Sequence, residues 1–416
     1  MNDTLVHDYI KDTIDSRKAS LPDSIWILDA TLTEGEQTPG VVFNSDEKLE
    51  IAKNLSEAGV DAAYVGFPAV SKEEKKTARK IIDERLGFES WGLCRVLKED
   101  IDELIDIDCD VASFIAPASR LHYEKRLRTN LDDYLSRLEQ LSTYTLEHGI
   151  GVSLGLEDAS RAEMNDVRRI SKVVENKKKC NLLLTDTVGA FTPASARYYM
   201  DEVRKFWNKP VALHFHDDFG MATANTLAAM EAGKGDYYLY VTINGIGERC
   251  GAASLEETCT ALKVLYGYNL KFDLTKLMEL SKLVEKYASI PVIPTKAIVG
   301  LNAFTHETGP HVHGILIDPY TYERIPIDLL GRKRRFVFGK HTGASLIKKV
   351  LEDKGIAIDK ESLEIILHRV KERHEKKDAG WKVKNNQIIN AYHKSVEDRF
   401  TLENEVLEIA REVLKL

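Results

Sequence analysis

Eight short runs of apolar and β-branched residues punctuate the first two-thirds of the chain. They are Ile25–Leu32, Asp61–Phe67, Phe88–Cys94, Val111–Ala116, Gly151–Leu156, Asn181–Thr185, Val211–His216 and Tyr238–Ile243. Most are apolar at successive positions, as expected of parallel strands covered on both faces. Helical segments separate them, and the spacing of about 30 residues is that of one strand-plus-helix unit. In the first helix Asn44 or Ser45 offers an N-cap, Leu49, Ala52, Leu55 and Ala58 keep one face apolar, and Gly59 supplies a left-handed stop. Eight such units close most simply as an α/β fold of the (β/α)8 TIM-barrel type over residues 22–270. A doubly wound open sheet competes, but no Gly-rich phosphate loop follows the first strand. Residues 1–21 read as an N-terminal helical extension. Beyond 270 the character changes: Leu274–Tyr287 is helical, Ile290–Pro294 breaks it, and a polar, His-rich stretch runs to about Thr342. From Ala344 the pattern is helical and strongly charged, ending in an amphipathic helix near Glu403–Leu416. Residues 271–416 are therefore expected to form a mostly helical C-terminal region.

Composition narrows the function. With 43% hydrophobic residues among 416, the chain has ample apolar surface for a large core. Its 58 Lys and Arg against 66 Asp and Glu give a net charge of −8, a poor balance for gripping a phosphate backbone. No apolar run reaches the length of about 18 residues that reads as a membrane span, and the charged N-terminus lacks the apolar core of a secretory signal. The five scattered cysteines form no CxxC pair and read as reduced thiols. The expectation is a cytoplasmic protein with neither nucleic acid nor membrane as partner.

In a barrel the C-terminal strand ends point into the active-site mouth. Here they carry Asp29 and Glu34-Gly-Glu36-Gln37, Glu157-Asp158, Asp186-Thr187, His214-Phe-His216-Asp217-Asp218, and Asn244-Gly-Ile-Gly-Glu248-Arg249. His214 and His216, two apart on a strand, share a face. With a carboxylate from another strand, Glu34 or Asp29, they make a facial metal site with open positions for substrate. Imidazole and oxygen donors suit Zn, Mn or Fe and suit Mg less well. Asp217 or Asp218 could fix the tautomer of a liganding imidazole, and the glycine-rich turn at 244–251 lets backbone approach a ligand.

Four motifs, DATLTEGEQTPG (29–40), GLEDASRAE (155–163), LHFHDDFGMATAN (213–225) and NGIGERCGAASLEE (244–257), with NAFTHETGPHVHG and PYTYE beyond the barrel, carry a resemblance. The chain resembles the homocitrate, isopropylmalate and citramalate synthases, barrel enzymes that condense acetyl-CoA with a 2-oxo acid. The resemblance implies a divalent metal (Mn, Zn or Mg) on Glu34, His214 and His216, and acetyl-CoA as co-substrate. It implies catalytic roles for Glu157 and for His311 and Tyr322 reaching in from the partner of a homodimer. Thr33, Gln37, Arg95, Ser119, Arg120, Thr187 and Asn244 are the candidates for substrate binding. The chain's length leads us to expect no leucine-sensing domain.

This sequence departs from the family's pattern at three places. Thr33 stands where the family has Arg, Tyr64 where relatives have Glu, and Ala252 where isopropylmalate-type enzymes have an Asn ligand. If positions 33 and 64 face each other, their joint exchange keeps local charge balanced, and Thr33→Arg alone should destabilise the fold or impair activity. A dicarboxylic oxo acid, 2-oxoglutarate or oxaloacetate, is the expected substrate, read by Arg95, Arg120 or His122 because the strand-five Arg of fungal-type homocitrate synthases is here Ser153. A lyase running the reverse bond cleavage and a catalytically silent relative are the alternatives.

Overall fold

The computed structural model describes residues 6–17, 21–376 and 378–414. Helix α1 (Tyr9–Arg17) precedes eight parallel strands, β1 (Ser24–Asp29), β2 (Ala62–Gly66), β3 (Glu89–Arg95), β4 (Val111–Pro117), β5 (Gly151–Glu157), β6 (Cys180–Asp186), β7 (Val211–Phe215) and β8 (Asp236–Val241). They hydrogen-bond in chain order, and β1 pairs with β8 from Ser24↔Asp236 to Asp29↔Val241, which closes the barrel. The strands fall on the eight expected runs. β1 stops at Asp29, short of Leu32, because the Asp29 carboxylate accepts the Thr31 backbone N–H (2.8 Å) and hydroxyl (3.1 Å) and turns the chain.

Helix α2 (Ser45–Ala58) follows β1. Asn44 accepts the N–H groups of Asp46 and Glu47 while Glu47 reaches back to Asn44, and Gly59 ends the helix at φ 86°. Its inner face differs from expectation: Lys48 and Ile51 are buried beside Ala52, Leu55 and Ala58, while Leu49 is half-buried. Burying Lys48 is tolerable because its ammonium lies 2.6 Å from both Glu36 and Glu74. Inside the barrel an aromatic column runs along the axis. Trp26 packs on Tyr238 (4.7 Å between centroids), Tyr238 on Trp91 (5.2 Å), Trp91 on Tyr64 (5.8 Å) and Tyr64 on Tyr240 (5.5 Å). Tilted and edge-on ring pairs of this kind add roughly 0.5–1.5 kcal/mol each beyond their burial.

The barrel unit continues past residue 270 to Val292, because Leu277, Leu280, Val284 and Ala288 bury one face of the helix Leu277–Ala288, and Tyr287 donates to Glu50 at 2.5 Å. The second compact unit, from Gly300 onward, holds a two-stranded parallel ribbon (Thr305–His306 and Arg335–Phe336) and five α-helices among its described residues. Glu323 ties it together by accepting from Arg334 (2.7 and 2.6 Å) and His306 (2.9 Å). The last helix is described over Glu403–Leu414; the expected end at 415–416 lies outside the described residues. No described helix is long and apolar enough to cross a membrane.

Candidate metal centre

β7 carries His214, and His216 follows one residue past its end, so both imidazoles project from one face with centroids 4.6 Å apart. Glu34 comes from the turn after β1, its Oε2 3.9 Å from His214 Nε2 and its Oε1 3.4 Å from His216 Nε2. All three side chains are buried, and their ligating atoms lie within 4.8 Å of one another. Asp29, the other carboxylate considered, is spent on Thr31.

The surroundings set the state of each donor. His216 Nδ1 sits 3.0 Å from the Asp186 carbonyl, so Nδ1–H donates there and Nε2 faces Glu34. Burial, with His216 nearby, holds the His214 imidazole neutral, its pKa down at about 3. His214 Nε2 has no hydrogen-bond partner and the ring stacks on Tyr240 at 3.8 Å. Burial works against ionising Glu34, but the hydrogen bond with His216, the two imidazoles and the Glu248 N–H outweigh it and bring the carboxyl to about 2. Against the opposing effect of burial, Glu34 favours a proton on His216. One carboxylate, two imidazoles and an orphaned buried nitrogen fit a divalent ion, whose charge would take the place of that proton.

The glycine-rich turn serves Glu34 directly. A Cβ on Gly247 would lie 2.7 Å from Glu34 Oε1, and in its absence the Glu248 N–H donates to that oxygen at 2.8 Å. The expected approach of backbone to a ligand is an approach to this carboxylate.

A cavity of about 180 Å³ opens over the three donors, lined also by Gln37, Glu157 and Thr187 among the expected residues. Thr187 Oγ1 accepts the Asp158 N–H at 2.8 Å, and Glu157 accepts from both terminal nitrogens of Arg126. Thr33 lines an adjoining hollow of about 730 Å³ that shares Gln37, Leu93 and Ile115 with the first. Other expected residues are engaged elsewhere in the structure. Arg95 is bound to Asp100 at 2.8 and 2.7 Å, and Arg120 to Glu124 at 2.6 Å with three-quarters of its surface in solvent. Ser119 bonds Asp158, and Asn244 is a left-handed turn residue (φ 61°) whose amide donates to the Ser281 carbonyl at 2.9 Å; neither lines the cavity. Asp217 accepts the Ala222 N–H and Asp218 takes the Arg249 guanidinium, so the His216 N–H partner is a backbone oxygen instead. Sequence reasoning missed Ser113 and Tyr240 as lining residues; their inward positions on β4 and β8 were the available signal. The Tyr64 ring packs on Tyr240 with centroids 5.5 Å apart, while the Thr33 hydroxyl donates to the Ala30 carbonyl at 3.3 Å. In the second unit the His311 and Tyr322 rings stack at 4.1 Å, both exposed.

A closed parallel barrel with a His-x-His pair on β7 and a carboxylate after β1 defines the class. The HMGL-like family profile matches residues 24–284, and one described as homocitrate synthase post-HMGL domain-like matches 298–378, so the chain belongs to the HMGL-like family. It is 42% identical to homocitrate synthase AksA of Methanopyrus kandleri over 87% of this chain and 90% of that one. It is 42% identical to (R)-citramalate synthase CimA of Methanocaldococcus jannaschii (83% and 70% covered) and 41% identical to 2-isopropylmalate synthase of the same organism (85% and 68%). Among solved structures, the HMG-CoA lyase of Bacillus subtilis shares the barrel fold, with TM-score 0.57 and 20% identity over 66% of this chain and 96% of that one.

Proposed function

We propose that the protein is a divalent-metal-dependent acyltransferase that condenses acetyl-CoA with a 2-oxo acid and releases CoA. The observation that carries this reading is the buried Glu34–His214–His216 cluster with its unpartnered His214 nitrogen. A divalent ion held there, Mn, Zn or Mg, supplies a Lewis acid for the oxo-acid carbonyl. The chain's own groups do the rest. The Asp186 carbonyl and the Glu248 N–H aim His216 and Glu34. Glu157, at the rim of the cavity, or His311 with Tyr322 contributed by a second copy of the chain, removes a proton from the acetyl methyl carbon. That carbon's electron pair forms the bond to the oxo carbon, whose oxygen gains a proton. Water then splits the thioester C–S bond, leaving a carboxylate and the CoA thiol. The homodimer is part of this proposal, supported by the exposed His311–Tyr322 stack; a cytoplasmic location accords with five unpaired thiols.

A dicarboxylic oxo acid, 2-oxoglutarate or oxaloacetate, has Arg95 and Arg120 as its expected readers, and both are engaged outside the cavity. His122, between Glu157 (3.7 Å) and Asp158 (3.6 Å), is the remaining cation of that reading. Thiol release from acetyl-CoA against a panel of oxo acids, with and without added metal, tests the function. Metal-dependent release with one oxo acid is the expected result; acetyl-CoA appearing from a hydroxyacyl thioester marks a lyase, and silence across the panel a non-catalytic relative.

A further inference from the structure

Three relatives named for different activities stand at nearly equal identity, 42, 42 and 41%. Overall similarity therefore does not choose the oxo acid, and the lining of the cavity must. Apart from the three donors, the charged side chains around it are Glu157, Glu248 and Arg249. Arg249 is the one guanidinium or ammonium group lining it among the described residues, and it is already engaged: Nε and Nη2 donate to the two Asp218 oxygens at 2.8 Å each, and Nη2 also to the Thr187 carbonyl at 2.8 Å. Arg126 is bound to Glu157, so what faces inward there is an anion.

The wall away from the donors is of another kind. Leu93, Ile115 and Leu183 supply aliphatic surface, and the Tyr64 and Tyr240 rings meet at 5.5 Å. The Tyr64 hydroxyl is satisfied by Ser113 Oγ at 2.7 Å. Because Tyr240 also stacks on His214 at 3.8 Å, this wall begins directly beside a donor. The hollow over the donors holds about 180 Å³, and the larger one that it adjoins through Leu93 and Ile115 carries Glu36, Glu73 and Glu74 but no Lys or Arg in its lining. A second carboxylate seated here would lose its water, meet no unengaged cation and face Glu157.

We infer that the oxo acid is a monocarboxylic one with an uncharged alkyl tail, held between Leu93, Ile115, Leu183, Tyr64 and Tyr240. This rests on the proposed condensation only in taking the same cavity as the oxo-acid site. Tail length is set by how far the aliphatic wall lies from the donors, and Leu93 is the wall residue to shorten.

Two readouts test it on the full-length, Mn-loaded protein. In thiol release with acetyl-CoA, kcat/KM for pyruvate, 2-oxobutyrate or 2-oxoisovalerate should exceed that for oxaloacetate and 2-oxoglutarate by about hundredfold, the scale on which pocket contacts discriminate. Calorimetric binding of the same acids without acetyl-CoA should rank them alike, and Leu93→Ala should move the optimum to a longer alkyl tail in both. A preference for either dicarboxylic acid overturns the inference, as does the absence of binding by every monocarboxylic acid. Binding of short monocarboxylic acids with no thiol release would sustain the inference while sinking the condensation, so the two failures are separable.

Discussion

The two ends of the barrel make an instructive contrast. Each has hollows rimmed by acidic and aromatic side chains: one of about 520 Å³ at the N-terminal end, and at the other end one of about 180 Å³ over the donor cluster with the hollow of about 730 Å³ beside it. At the N-terminal end Glu89 accepts from Trp91 Nε1 (2.8 Å) and Tyr238 Oη (3.4 Å), and Asp110 takes both the N–H and the hydroxyl of Ser90. Among the described residues, no buried side-chain polar atom lining that end lacks a partner. At the other end His214 Nε2 is buried with none. An unmet hydrogen-bonding group costs about 1–3 kcal/mol. Here the orphaned atom belongs to three buried donors whose ligating atoms lie within 4.8 Å of one another, and that cluster marks the site where the volume does not.

The sharpest way to break this contrast is to remove the orphan. His214→Ala should abolish stoichiometric binding of Mn or Zn, measured by elemental analysis after chelation and reloading. It should also cut thiol release by far more than the 10–100-fold typical of outer partners of a metal ligand. Circular dichroism should be unchanged. Retained metal at full occupancy would show that the cluster is not the binding site.

The second effect is a pH dependence at the donor end. Burial, opposed by the Thr31 hydrogen bonds, pushes the Asp29 carboxyl up to about 7. Its folded pKa is above its unfolded one, so between about pH 4 and pH 7 the native state holds more protons, and stability falls as pH rises through that window. A shift of this size is worth about 4 kcal/mol. In urea denaturation Asp29→Asn should flatten that slope and leave the variant the more stable form at pH 8. An unchanged slope would mean the carboxyl is ionised throughout.

Most of the fold was legible in the pattern of the chain. The strands are apolar on consecutive positions because both faces are covered, and α2 is bounded by a capping box and a left-handed glycine that only need local chemistry. The donor cluster was legible too, since an i, i+2 pair on a strand must share a face. What escaped was set by which partner each polar group takes in the folded chain, near or far in sequence. Arg95 and Arg120 read as mouth cations until Asp100 and Glu124, within five residues of each, claimed them. The tautomer-fixing acceptor is a backbone oxygen, which no side-chain motif announces. Lys48 lies inside because Glu74, on the next helix, accepts it, a pairing that periodicity counts as a violation.

At the N-terminal end a milder change should be purely structural. Glu89→Gln keeps an acceptor for Trp91 but removes its charge, and should cost about 1 kcal/mol in urea denaturation. Metal content and kcat/KM should stay as they are. A loss of activity without a loss of stability would give that end a part in function and dissolve the contrast.

The smallest effect is the most discriminating at the donor end. Tyr64→Phe deletes the hydroxyl that meets Ser113 Oγ at 2.7 Å, leaving a buried serine to find another acceptor, which should cost about 1–2 kcal/mol. The ring remains, so its contact with Tyr240 and the shape of the hollow are kept. Two hydroxyls that satisfy each other have little to offer a ligand, and KM for the preferred oxo acid should move less than about threefold. A rise in KM of tenfold or more, about 1.4 kcal/mol of lost binding, with stability unchanged would mean that the phenol reads a polar group on the substrate's tail. The wall beside His214 would then be a polar recognition surface rather than an apolar seat, and its difference from the fully satisfied N-terminal end would rest on the donor cluster alone.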